Sequence, residues 1–271
     1  MSIDEVSLSK GELYTFVTSK LGKGKKGTIV AMIASTEAIK ITEVLGKIPL
    51  AQRLTVKEVT LDMAGNMASA VRASFPNAVL VTDRFHVVKL VLDALQHVRI
   101  KHRWEAIEDE NKAIQAAKEK GEKYEAEVFA NGDTLKQLLT RSRYLLFKQE
   151  ASWTDSQKTR AGLLFSKYPD LKKAYDYAIQ FRNIYENKQV SNAKKQFMEW
   201  IEDVKKSELT EFNSAAKSIA YHLDNILNFF TNRNTNANAE SFNSKIKLFR
   251  ANQRGVVDLI FFLFRLQNLF A

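Results

Sequence analysis

The sequence predicts an α/β protein, a mixed sheet core interrupted by a large all-helical insertion. Three observations predict it. Apolar β-rich runs are confined to the first part of the chain, where they alternate with helical spacings. A long stretch, 105–231, is rich in Lys, Glu, Ala and Leu and carries little β signal. The chain then closes on apolar stripes at helical spacing.

Taken in order, residues 14–19 and 28–34 are β-rich. The glycines of the basic turn Gly22-Lys23-Gly24-Lys25-Lys26-Gly27 suit a hairpin between them. Residues 36–48 follow with Ile39, Ile41, Val44, Leu45 and Ile48 at helical spacing. Residues 56–61 form a β run ending at Asp62, and 64–75 a short helix stopped by Pro76. Residues 78–82 form another β run ending at Asp83. From Arg84 to Trp104 the spacing predicts one long helix with Phe85, Val88, Leu92 and Leu95 on one side. The insertion carries helices around 135–147, 161–165, 171–185 and 193–204, with Thr154 and Gln157 reading as a helix start. Residues 232–238 are a polar loop. A helix beginning near Asn238 has the stripe Ala239, Phe242, Ile246, Phe249; Gly255 breaks it, and 256–270 is a last apolar helix. The chain thus divides into 1–104, the first part of the core, 105–231, the insertion, and 232–271, helices that complete the core.

Composition narrows the function. With 271 residues and 45% hydrophobic content the chain can bury a substantial core. It has 41 Lys+Arg against 31 Asp+Glu, a net charge of +10, and the basic residues cluster in 84–104 and 232–271. That distribution suits a polyanion such as nucleic acid as well as plain solubility. The absence of cysteine excludes disulfides and Cys-based zinc sites and is compatible with a cytoplasmic location. No apolar run approaches the roughly 20 residues of a membrane span, so no membrane role is expected.

The chemistry lies in the acids. Asp62 and Asp83 end β runs, where α/β sheets bind ligands, although Asp there also caps a following helix. Asp4 lies in Ser-Ile-Asp-Glu-Val, which reads as an edge of the same sheet. Glu240 sits beside the apolar stripe of its helix, with Asn243 and Lys247 on its face; a solvated helix face has the same pattern. Together the carboxylates suggest a site for a hard cation, Mg²⁺ or Mn²⁺, which takes oxygen ligands and substrate phosphates. Two such ions about 4 Å apart assist phosphoryl transfer.

Three segments carry a resemblance: Val59-Thr60-Leu61-Asp62-Met63, Thr82-Asp83-Arg84-Phe85-His86-Val87-Val88-Lys89, and Asn236-Ala237-Asn238-Ala239-Glu240-Ser241-Phe242-Asn243. With Ser74-Phe75-Pro76-Asn77-Ala78 they resemble the DDE-type insertion-sequence transposases of the "ISL three" group, along the whole chain. The resemblance implies a ribonuclease H-like core with a helical insertion before its last acid, and a metal-binding catalytic triad of Asp4, Asp62 and Glu240. Asp83 is the alternative second acid, and His86 and Asn243 are possible supports. It implies cleavage at transposon ends and strand transfer into target DNA by a homo-oligomer on DNA. Arg99, Lys101, Arg103, Lys245, Lys247, Arg250 and Arg254 would hold phosphates, and Trp153 could stack on an unpaired base, unless it is core. Full-length members carry an N-terminal zinc and helix-turn-helix region that is absent here; supply of it by a separate DNA-binding polypeptide and truncation of the chain to a remnant are the two expectations. A plain nuclease, a helical scaffold and a catalytically inactive or domesticated DNA-binding remnant are the competing readings.

Overall fold

Strand residues of alternate parity face opposite sides of a sheet, and here both sides are apolar, so the sheet must be covered twice. The computed structural model describes residues 1–8, 13–233, 237–253 and 258–271. It falls into two compact units, residues 1–87 with 222–271, and residues 88–221. In the first unit, β1 (Ser2–Ser7), β2 (Leu13–Thr18), β3 (Ile29–Ile33), α1 (Ala38–Gly46), α2 (Leu50–Arg53), β4 (Glu58–Leu61), α3 (Gly65–Ser74) and β5 (Val79–Thr82) precede α4 (Arg84–Glu119), which runs on into the second unit. The second unit continues with α5 (Leu135–Arg141), α6 (Asp155–Lys167), α7 (Pro169–Ile184), α8 (Val190–Lys206) and α9 (Asn213–Tyr221). The chain then returns to the first unit in α10 (Leu223–Leu227), α11 (Phe229–Asn232), α12 (Ala237–Asn252) and α13 (Leu259–Phe270).

The sheet has the order β3-β2-β1-β4-β5. The hairpin pairs β2 and β3 antiparallel, β2 is antiparallel to β1, and β1, β4 and β5 run parallel. The strand of Asp4, expected at an edge, is therefore the central strand. The physical reason is visible in its neighbours. Ile3 and Val6 have opposite parity and both are buried, so the strand needs cover on both faces. Ile3, Val17, Val59 and Leu61 pack with Ile41, Leu45, Met67 and Val71 of α1 and α3. Val6, Tyr14, Phe16 and Ile29 pack with Phe242, Ile246, Phe262 and Leu266 of α12 and α13. Each such side chain contributes about 1.5–3 kcal/mol on burial. Asp4 shares the parity of Val6 and so lies on the α12 side. Two further contacts fix the unit. Asn228 donates to the Leu80 carbonyl at 2.8 Å, and the Thr28 N–H donates to the Phe270 carbonyl at 2.8 Å.

The second unit is helical and built on aromatic packing, with Phe181 4.7 Å from Trp200 and 5.4 Å from Phe197 between ring centroids. Thr154 and Gln157 form the expected capping box at the start of α6, and Thr134 and Gln137 form a second one at α5. Helix α4 extends to Glu119, well past the expected end at Trp104. Beyond Trp104 it buries almost nothing except Ala106, so its last turns offer no apolar stripe from which to read a helix. Among the described residues, no helix is long and apolar enough to cross a membrane.

Candidate active site

Sheet register sets three acids side by side. Ser2 pairs with Thr60, and Leu61 with Thr82. Two steps on from Ser2 and Thr60 stand Asp4 and Asp62, and one step on from Thr82 stands Asp83. The Asp83 N–H donates to the Leu61 carbonyl at 2.8 Å, extending the ladder past the strand ends. Parallel strands present their C-terminal ends together, so Asp62 and Asp83 arrive at one end of the sheet.

Helix α12 supplies the other side. Its buried stripe of Ala239, Phe242 and Ile246 holds it on the sheet and turns Glu240 and Asn243 toward the acids. Asn243 Nδ2 donates to Asp4 Oδ2 at 2.6 Å, while the Glu5 N–H donates to Asp4 Oδ1 at 2.9 Å. Asp83 and His86 stand three residues apart in the chain at the start of α4. Their ligand atoms and one of Glu240 lie within 4.8 Å of one another, a group able to hold a metal ion. The Phe85 ring meets His86 edge-on with centroids 5.4 Å apart. Glu240 Oε1 and Asn243 Oδ1 are buried and accept no hydrogen bond among the described residues. Buried polar atoms normally find partners, so these oxygens point to a ligand, and a set of carboxylate oxygens with one imidazole suits a divalent cation.

The electrostatics agree. Burial, above all, holds the Asp4 carboxyl above its ordinary pKa; the Glu5 N–H, His86 and Asn243 oppose this, and the charge of Asp62 adds to it. Glu240 is also raised, first by burial, then by the charge of Asp83 and a hydrogen bond to it. Crowding and partial burial of carboxylates raise their pKa values in this way, and a bound cation would offset both.

Of the expected acids, Asp4 and Glu240 thus converge with the alternative and supporting residues Asp83, His86 and Asn243. Asp62 is not part of the group formed by Asp83, His86 and Glu240. Its Oδ1 accepts the Ala64 N–H at 2.8 Å at the start of α3, and its charge is felt at Asp4. Lys20, which no sequence motif marks, donates from Nζ to Thr60 Oγ1 at 2.5 Å and to Glu58 at 3.4 Å. Its place among loop lysines gave no sign of this.

A family model described as a transposase, that of the DDE-type "ISL three" group, matches residues 1–266. The chain belongs to that family. No curated protein and no solved structure matches the chain.

The residues expected to hold DNA differ in environment in this transposase. Lys245 and Lys247 are exposed on α12, with Lys245 Nζ 3.5 Å from the Gly24 carbonyl. Gly24 has φ 73°, and a Cβ there would meet Lys245 Nζ at 3.0 Å, so glycine suits the close approach. The Arg250 guanidinium lies 4.9 Å from the centroid of the Phe262 ring. Arg254 and Gly255 lie outside the described residues. In the helical unit Lys101 pairs with Glu211 at 3.5 Å, Arg103 donates to Thr140 Oγ1 at 3.0 Å, and Arg99 is buried. Trp153, expected as a possible stacking surface, is core instead. It is 7% exposed, its Nε1 donates to the Leu145 carbonyl at 3.0 Å, and its ring packs on Tyr175 and Phe165.

Proposed function

We propose that this transposase cuts DNA at the ends of an insertion sequence and joins the freed 3′-hydroxyl to target DNA. It does so on Mg²⁺ or Mn²⁺ held by Asp4, Asp62 and Glu240, with Asp83 and His86 in support. The observation that carries this is the convergence of Asp83, His86 and Glu240 beside Asp4, with Glu240 Oε1 buried and without a hydrogen-bond partner among the described residues. A divalent cation held by these carboxylates would supply an activated nucleophile and stabilise charge on the leaving oxygen. Asp4 is held by Asn243 and the Glu5 N–H, which fix its orientation before any cation arrives. Asn243 is thus a positioning residue.

In this reading residues 1–104 and 232–271 make a ribonuclease H-like core, and 105–231 are its insertion. The order β3-β2-β1-β4-β5 with β2 reversed supports that core. Lys245, Lys247, Arg250 and Arg254, with Arg99, Lys101 and Arg103, hold DNA phosphates. The protein works as a homo-oligomer on DNA.

The test is incubation of a pre-cleaved transposon-end duplex with target plasmid, in Mg²⁺ and in EDTA. Joined product should form only with the metal and should vanish in Glu240→Gln and Asp4→Asn. Cut but unjoined DNA would reduce the protein to a nuclease. Salt-sensitive DNA binding with no metal-dependent product would leave a DNA-binding remnant. Asp62→Asn and Asp83→Asn, compared side by side, decide which is the second acid.

A further inference from the structure

The helical unit contains a cavity of about 590 Å³, bounded by α4, α5 and the turn at Leu145–Phe147. Three guanidiniums line it, those of Arg99, Arg103 and Arg143. Arg99 is 5% exposed, and its neutral partners are Gln96 Oε1 at 2.7 Å and the Leu139 carbonyl at 2.9 Å. Arg103 has Thr140 as its partner, and Arg143 lies over the Tyr144 ring at 5.3 Å. None of the three is ion-paired with a carboxylate among the described residues. The one acid lining the cavity, Asp93, is engaged by Lys89 at 2.6 Å. Burial, and then the charges of Arg103 and Arg143, hold the Arg99 pKa below its ordinary value, which places three uncompensated positive charges close together. Of the three only Arg99 is buried, and a buried charge without a counter-ion is costly unless a ligand supplies the opposite sign.

At the rim stands Trp104, 62% exposed, with the Arg103 guanidinium 5.7 Å from its ring centroid. The other two tryptophans are buried, and each donates its Nε1–H to a backbone carbonyl. Trp104 is therefore the tryptophan whose ring is open to a partner. Guanidinium forks match phosphate oxygens. Positive charge combined with an open aromatic face is the arrangement that binds single strands, because unpaired bases can stack and paired ones cannot.

We infer that this cavity takes the phosphates of a single-stranded DNA segment, with one of its bases stacked on Trp104. The inference rests on the transposase reading for its choice of DNA, but on none of the acids of the active site.

The experiment measures fluorescence anisotropy of a labelled single-stranded oligonucleotide and of its duplex in EDTA, with the Glu240→Gln protein as background so that no cutting intervenes. Trp104 fluorescence is followed in parallel. Single strand should quench Trp104 and bind more tightly than duplex. Arg143→Ala should lower the salt slope of binding by about 0.7, and Trp104→Ala should weaken binding by about tenfold. Arg143 is exposed, so its replacement leaves the core intact, which a melting curve verifies. Arg143→Lys should keep the slope while weakening binding. Unchanged slope and affinity in Arg143→Ala overturns the inference, as does equal binding of duplex without quenching. Complete displacement by inorganic phosphate with no change at Trp104 also overturns it, since the cavity is then a small-anion site. The two readings fail separately. Loss of strand binding in Arg143→Ala supports the cavity even if no cutting or joining is ever seen, whereas intact joining with unaltered binding refutes the cavity alone.

Discussion

Each unit of the molecule takes carboxylates out of water, and the two treat them in opposite ways. In the helical unit Asp133 is fully buried, and it is bonded by Arg141, by Arg160 at 2.8 Å and by Asn131 at 2.8 Å. Burial pushes its pKa up, but the bonds from Arg160, Arg141 and Asn131 outweigh this and hold it below the ordinary range. In the sheet unit Asp4 and Glu240 are joined by no lysine or arginine ion pair among the described residues, and both are held above the ordinary range. A structural charge is neutralised by the chain itself. Asp4 and Glu240 have no such internal partner among the described residues, and this distinguishes a candidate catalytic site from a buried salt bridge.

The strongest way to break this comparison is to neutralise the acids. Glu240→Gln and Asp4→Asn should abolish metal-dependent joining while leaving thermal stability equal or higher, because each removes a carboxyl that the fold holds at a cost. A fall in melting temperature with retained joining would reverse the assignment. Next in size, Asp133→Ala should destabilise the helical unit by about 3 kcal/mol, read by denaturant unfolding, since it strands two arginines. Asn243→Ala should lower metal affinity or activity by about 10- to 100-fold, measured by Mg²⁺ titration of the joining rate, with partial rescue in Asn243→Gln. The smallest effect is on pH dependence. A raised carboxyl pKa means the folded state holds a proton that the unfolded state has lost. In EDTA the sheet unit should therefore lose stability as pH rises from the ordinary carboxylate pKa through the raised values of Asp4 and Glu240, and Mg²⁺ should oppose the loss. Asp133 has the opposite sign. Its stabilisation is present above its unfolded pKa and is lost as pH falls through the lowered value. Hydrogen exchange read separately on the two units should show opposite slopes, and parallel slopes would refute the contrast.

Much of this was legible in the chain. The strands before Asp62 and Asp83 announce themselves by apolar β-branched runs, and the stripe Ala239, Phe242, Ile246 orients α12 so that Glu240 lies beside the buried side. These are local signals, set by side-chain period. Other features were not legible. Whether Trp153 or Trp104 is buried depends on which one finds a carbonyl and a pocket of rings, and Trp153 found both. The length of α4 beyond Trp104 lies in a polar stretch with no stripe to read.

By itself, the sequence determined which residues carry carboxylates, where strands and helices begin, and which faces are apolar, because these follow from side chains a few positions apart. Only the tertiary structure decided that β1 is central, that Asn243 reaches Asp4 across 239 positions of chain, and that Asp83 and His86 close on Glu240. Those are pairings between distant segments, and they are chosen by sheet register and by the burial of both sheet faces, which no local pattern encodes.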